Sequence, residues 1–213
     1  MATKSLITQE LDYYHSQVIT VSDDGETVTG AVWEPVDALY KTKLAEMYKI
    51  KDRWKEIHQE VKLYVPNGSS VLDLGCGDKE ILNTIVTNDY LGVDLYEGAD
   101  VHHDLDKELL TWDRTWDVGL MVESLGFMLD PNRILTHYKK YATNWVITVR
   151  PLDPNHNSVK ESRVNIRHAW TRNLLIEFLY NHFDTVNVSD TIYTNIETYG
   201  NGFPKPFLVA VCS

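Results

Sequence analysis

Asp73, Gly75, Gly77 and Asp94 are the residues in this chain whose types and spacing best suit ligand chemistry. The segment Ser-Val-Leu-Asp-Leu-Gly-Cys-Gly-Asp from Ser70 to Asp78 reads as a short apolar strand running into a glycine loop. Gly75 and Gly77 lack a Cβ, so the backbone there can turn tightly and approach a ligand. A helix predicted over Lys79–Val86, with Ile81, Leu82, Ile85 and Val86 at helical spacing, would bring free N–H groups to the same place. A second apolar run, Tyr90–Val93, ends at Asp94, which puts a carboxylate at the end of each of two strands of a βαβ unit. An acidic residue about 20 positions past the first glycine suits both hydroxyls of a ribose. The expected ligand is a nucleoside.

The third glycine of a dinucleotide loop is absent, and Glu80 stands in its place. A glutamate beside a pyrophosphate is repulsive, whereas a phosphate-free nucleoside bearing a sulfonium and an amino-acid tail meets no repulsion from Asp73, Asp78 and Glu80. S-adenosylmethionine has that composition. The run Val71–Asp78 followed by Leu91-Gly92-Val93-Asp94 resembles the first two motifs of class I S-adenosylmethionine-dependent methyltransferases. His103-Asp104-Leu105 is similar to the third, and Asp117–Pro131 to the fourth through Asp117, Glu123, Leu125, Asp130 and Pro131. Gly126 and Phe127 replace the Glu-His pair of many relatives. The resemblance implies a cofactor site made of Asp73, Gly75, Cys76, Gly77, Asp94, Leu95, Asp104, Leu105 and Glu123.

The elements that must position these residues follow from alternation of strand and helix patterns, which implies a largely parallel sheet. Further strands are expected at Asp100–His102, Trp116–Val122 and Trp145–Val149, and helices at Asn132–Tyr141 and Trp170–His182. Thr185–Tyr193 and Phe207–Val211 resemble the family's antiparallel closing pair. The fold class expected is α/β, a Rossmann-like, mostly parallel seven-stranded sheet with helices on both faces. Residues 63–213 form that domain, and residues 1–62 form an N-terminal extension capping the cofactor site. Within the extension, Val18–Ser22 and Thr27–Trp33 flank Asp24-Gly25 as a hairpin, and a long amphipathic helix starts at Glu34-Pro35. Tyr13, Tyr14, His15 and Trp33 are candidates for the substrate pocket. The helix's Lys41, Lys43, Lys49, Lys51, Arg53 and Lys55 read as a solvated face before they read as an anion patch.

The 213 residues carry a formal net charge of -11, which disfavours nucleic acid as a substrate. No apolar run reaches the ~20 residues of a membrane span, so the expected setting is cytoplasmic. The two cysteines, Cys76 and Cys212, have no metal-ligand spacing, and no metal is expected.

Methyl transfer from a sulfonium needs alignment more than a covalent nucleophile, and a base only where the acceptor is protonated. Among His102, His103, His156, His168 and Glu123, the catalytic candidates are His168 and Glu123. Arg150, Arg163, Arg167 and Arg172 read as scattered surface charges before they read as a site for a carboxylate or phosphate on a small substrate. The function expected is transfer of a methyl group to a small-molecule or protein acceptor. The alternatives are a lyase or hydrolase acting on the same cofactor and a non-catalytic cofactor-binding protein.

Overall fold

A computed structural model of the chain describes residues 20–21, 28–29, 54–151, 168, 170–192 and 206–213. The expected long helix before residue 54, the pocket candidates Tyr13, Tyr14, His15 and Trp33, and the loop bearing His156, Arg163 and Arg167 lie outside the described residues. Strands β1 (Thr20–Val21) and β2 (Val28–Thr29) pair antiparallel, with Thr20 opposite Thr29.

Helix α1 (Lys55–Lys62) precedes a seven-stranded sheet built from β3 (Ser69–Leu74), β4 (Thr87–Asp94), β5 (Val101–His102), β6 (Trp116–Val122), β7 (Ala142–Val149), β8 (Val186–Ile192) and β9 (Pro206–Cys212). Helices α2 (Pro131–Tyr138) and α3 (Arg172–Tyr180) lie between β6 and β7 and before β8. The strand order is β5-β4-β3-β6-β7-β9-β8, parallel from β5 to β7, with β9 antiparallel to both its neighbours. The mostly parallel, seven-stranded expectation is therefore met. Because consecutive residues of a strand face opposite sides, β3 sends Val71 to one face and Leu72 and Leu74 to the other. Ile57 and Val61 of α1 pack with Val71, Val118, Leu120, Val146 and Val209 on the first face. Ile134, Leu135 and Tyr138 of α2 and Leu175, Phe178 and Leu179 of α3 pack with Leu72, Leu74, Trp145 and Ile147 on the second. Helices thus cover both faces, and α1 belongs to the buried core of the sheet.

Side-chain caps set the starts of α2 and α3. Asp130 accepts from the backbone N–H of Arg133 at 2.9 Å, with Pro131 at the first turn, and Thr171 accepts from Leu174 N–H at 3.2 Å.

The helix expected over Lys79–Val86 is a short 3-10 turn, Glu80–Asn83. Lys79 enters it in the left-handed region, at φ 63°, and its ammonium pairs with Asp100 at 2.7 Å. Thr84, Ile85, Val86 and Thr87 then form a β-branched run, which loses χ1 freedom in a helix and favours extended chain. The chain passes directly into β4, which starts earlier than the expected Tyr90.

Candidate functional site

The order of the sheet reverses between β3 and β6, so the chain leaves their carboxyl ends in opposite directions and opens a crevice. The loops after these two strands touch. Gly75, at φ 81°, lies so close to the loop after β6 that a Cβ would sit 2.3 Å from Ser124 Cβ. Ser124 Oγ in turn donates to the Leu74 carbonyl at 2.7 Å. Glu123, the first residue beyond β6, is held at φ 55° by its N–H, which donates to Thr148 O at 3.1 Å and Thr148 Oγ1 at 2.9 Å. A non-glycine residue in this region costs on the order of 1 kcal/mol or more and persists where its surroundings hold it.

Above these loops lies an open cleft. Eight of the residues expected to hold a cofactor line it: Asp73, Gly75, Cys76, Asp94, Leu95, Asp104, Leu105 and Glu123. Gly77 is not among the lining residues, and its N–H donates to Asp94 Oδ2 at 2.9 Å. Asp94 Oδ1 accepts from Tyr96 N–H at 2.8 Å, so the carboxylate is oriented by backbone on both sides. Asp104 is braced by Asp106 N–H at 3.1 Å and by Lys107 at 3.2 Å. The segment after it is fixed to α2 through Arg133 Nη1, which donates to the Asp106 carbonyl at 2.7 Å.

The wall is acidic. Asp78, Glu80 and Asp106 join the four motif carboxylates, and no lysine or arginine is among the described residues that line it. Asp73 is 2% exposed; burial, with the charge of Asp94, pushes its carboxyl up to about 7 against the lowering bond from Tyr90. Burial also raises Asp94, against its backbone hydrogen bonds. The Cys76 thiol is driven far upward by burial and by Asp73, Asp94 and Asp100, so it remains a thiol and is no nucleophile. Cys212 is likewise pushed up to about 12 by burial. The described residues contain no cluster of metal-ligating side chains.

The structure places His168 elsewhere. It is 4% exposed and absent from the cleft wall; its N–H donates to the Gly126 carbonyl at 3.0 Å and its Nε2–H to the Leu129 carbonyl at 3.1 Å. These bonds bracket Phe127 and Met128, which do line the cleft. His103 lines the cleft, with its Nε2–H donating to the Glu108 carbonyl at 2.8 Å, whereas His102 is exposed on β5. Arg172 is engaged with Asp190 and the Val188 carbonyl, both at 2.8 Å.

Sequence reasoning missed Trp54, His58 and Met128 as wall residues. Trp54 and His58 sit four apart at the start of α1, a spacing that marks a shared helix face but gives no hint of which end of the sheet it meets. His58 is 7% exposed and burial lowers it to about 4, so the imidazole is neutral near pH 7.

Residues 55–192 match the family described as methionine biosynthesis protein MetW. The chain belongs to the MetW family. No curated protein sequence matches it. Among solved structures, it resembles the plantazolicin methyltransferase BpumL in complex with S-adenosylhomocysteine, at 13% identity and a TM-score of 0.57, over 83% of this chain and 91% of that one. A SAM-dependent methyltransferase from Thermotoga maritima, described as a possible histamine N-methyltransferase, aligns at 17% identity and a TM-score of 0.58, over 82% and 97% of the two chains. A third, from Mesorhizobium loti, aligns at 16% identity and a TM-score of 0.50, over 72% and 96%. At these identities the likeness is one of fold, and this chain has the class I S-adenosylmethionine-dependent methyltransferase fold. No described helix is long and apolar enough to cross a membrane.

Proposed function

We propose that this MetW-family chain binds S-adenosylmethionine in the cleft and transfers its methyl group to a small acceptor in the cytoplasm. The observation that carries the reading is the convergence of Asp73, Asp94, Asp104 and Glu123, from four separate strand ends and loops, on one cleft with no described lysine or arginine in its wall. Such a wall attracts a ligand carrying an ammonium and a sulfonium and repels phosphates. The absence of an α-helix after the glycine loop supports it further, since four residues of 3-10 turn make a poor pyrophosphate seat.

When bound, S-adenosylmethionine supplies a methyl group already activated for displacement. Asp94 then accepts from the ribose hydroxyls with the lone pairs its backbone donors leave open, and Asp104 and Leu105 border the adenine. Gly75, bare of a side chain, lets the loop after β3 close against Ser124, and both residues line the cleft. Trp54, Phe127 and Met128 exclude water from the methyl group, and Glu123 orients the acceptor and takes a proton from it where one must leave. His168 acts at one remove, fixing the carbonyls on either side of Phe127 and Met128. The family's description as methionine biosynthesis proteins favours a small-molecule acceptor over a protein side chain.

The test is incubation of the purified protein with methyl-labelled S-adenosylmethionine and a small-molecule extract. A labelled acceptor formed together with S-adenosylhomocysteine is the expected result. Breakdown of the nucleoside without a methylated acceptor would replace the reading with a lyase or hydrolase, and binding without turnover with a sensor.

A further inference from the structure

Asp73 and Gly92 stand opposite each other in the parallel pair of β3 and β4, and Tyr90 lies two residues before Gly92 on the same face. The space at position 92 is already taken by neighbours: a Cβ there would meet Cys76 Sγ at 2.7 Å and Tyr90 Cε1 at 3.0 Å. The bare glycine lets the Tyr90 ring reach along the strand to Asp73, where its hydroxyl donates to Oδ2 at 2.7 Å. Oδ1 of the same carboxylate is buried without a hydrogen-bond partner among the described residues, and Asp73 is one of the residues lining the cleft. A buried carboxylate oxygen without a partner is costly unless a ligand supplies the donor.

We propose that Tyr90 is a positioning residue for ammonium recognition: by engaging Oδ2 it presents Oδ1 of Asp73 to the amino group on the tail of the bound nucleoside. The proposal rests on the S-adenosylmethionine reading and deepens it. Tyr90 is not among the residues that line the cleft, so it acts on the ligand through Asp73.

The groups facing this pair make the pH dependence definite. Asp94 and Cys76 lie beside Asp73, while Asp100, paired with Lys79, lies near the Tyr90 hydroxyl. Glu80, Glu123 and His58 are further titratable groups of the cleft. Free Asp73 titrates near 7, and its ionised form is the one that holds a cation. Affinity for an ammonium-bearing ligand therefore rises as pH passes upward through 7. The Tyr90 bond favours the ionised form, so its loss moves that rise to higher pH.

Calorimetric titration of the full chain with S-adenosylhomocysteine and with 5′-methylthioadenosine, which lacks the amino-acid tail, tests this between pH 6 and 8. In Tyr90→Phe, affinity for S-adenosylhomocysteine should fall about tenfold at pH 7, the magnitude of a hydrogen bond to a charged group. Methylthioadenosine should change by less than about twofold and show no pH step. In Asp73→Asn, adding Tyr90→Phe should cause no further loss. Equal losses for both ligands, or no loss for either, would overturn the role of Tyr90 while leaving the cofactor reading intact. Wild-type protein that binds neither nucleoside would overturn both.

Discussion

Asp94 Oδ2 accepts the backbone N–H of Gly77 at 2.9 Å, so the residue that closes β4 also holds the glycine loop that leaves β3. One carboxylate therefore shapes the loop and faces the cleft. Asp94→Ala removes both contributions, and affinity for S-adenosylhomocysteine is expected to fall at least about 100-fold, as for two charge-assisted hydrogen bonds. Loop amides should also exchange faster with solvent. Asp94→Asn keeps one acceptor oxygen and should fall between the two proteins. Calorimetry with hydrogen exchange checks both readouts, and unchanged affinity in Asp94→Ala would remove the ribose assignment.

The contact between Gly75 and Ser124 gives a second prediction. A methyl group at Gly75 meets Ser124 Cβ at 2.3 Å and also forces an L side chain to φ 81°. Gly75→Ala should destabilise the protein by more than about 2 kcal/mol, combining backbone strain with overpacking. Ser124→Gly in the same chain relieves the steric part but gives up the bond to the Leu74 carbonyl. Urea denaturation should show partial recovery in the double variant; full stability in Gly75→Ala alone would mean that the two loops separate freely.

What could be read from the chain followed local pattern. Apolar runs located the sheet strands, with β6 at its expected bounds, Trp116–Val122. The glycine loop and the carboxylates Asp73, Asp94, Asp104 and Glu123 were legible because each sits at a strand end or in a short motif, and all four meet in the cleft. Features set by distant pairing were not legible. The Tyr90 bond to Asp73 depends on the β3–β4 register, and His58 enters the wall only because of where α1 crosses the sheet. The missing helix after the loop is a different case: Ile81, Leu82, Ile85 and Val86 have helical spacing, yet the β-branched run from Thr84 outweighs it.

His168 separates a catalytic from a positioning role. Its two bonds hold the Gly126 and Leu129 carbonyls, and it is buried and not among the residues lining the cleft. His168→Ala should lower stability by about 1–3 kcal/mol, since the Leu129 carbonyl loses its donor and a buried ring is removed. In a methyl-transfer assay KM should rise more than kcat falls, and the pH profile should keep its shape. A fall of kcat by more than about 100-fold at unchanged stability would instead make His168 the base.

His58 predicts how the protein responds to acid. Burial lowers its folded value to about 4, whereas the unfolded side chain titrates near 6.5. Between those values the unfolded chain binds the proton and the folded one does not, so stability falls as pH drops from 6.5 towards 4. Asp73 acts with the opposite sign: its folded value is raised to about 7, so its contribution is present at low pH and is lost as pH rises towards 7. The two partly cancel in the wild type, and His58→Gln exposes the difference. Between pH 7 and pH 5 the wild type should lose about 2 kcal/mol relative to that variant, as expected for a group displaced across this window. Denaturant titrations of both proteins at the two pH values measure it, and parallel pH profiles would show that His58 takes up its proton as readily in the folded cleft as in water.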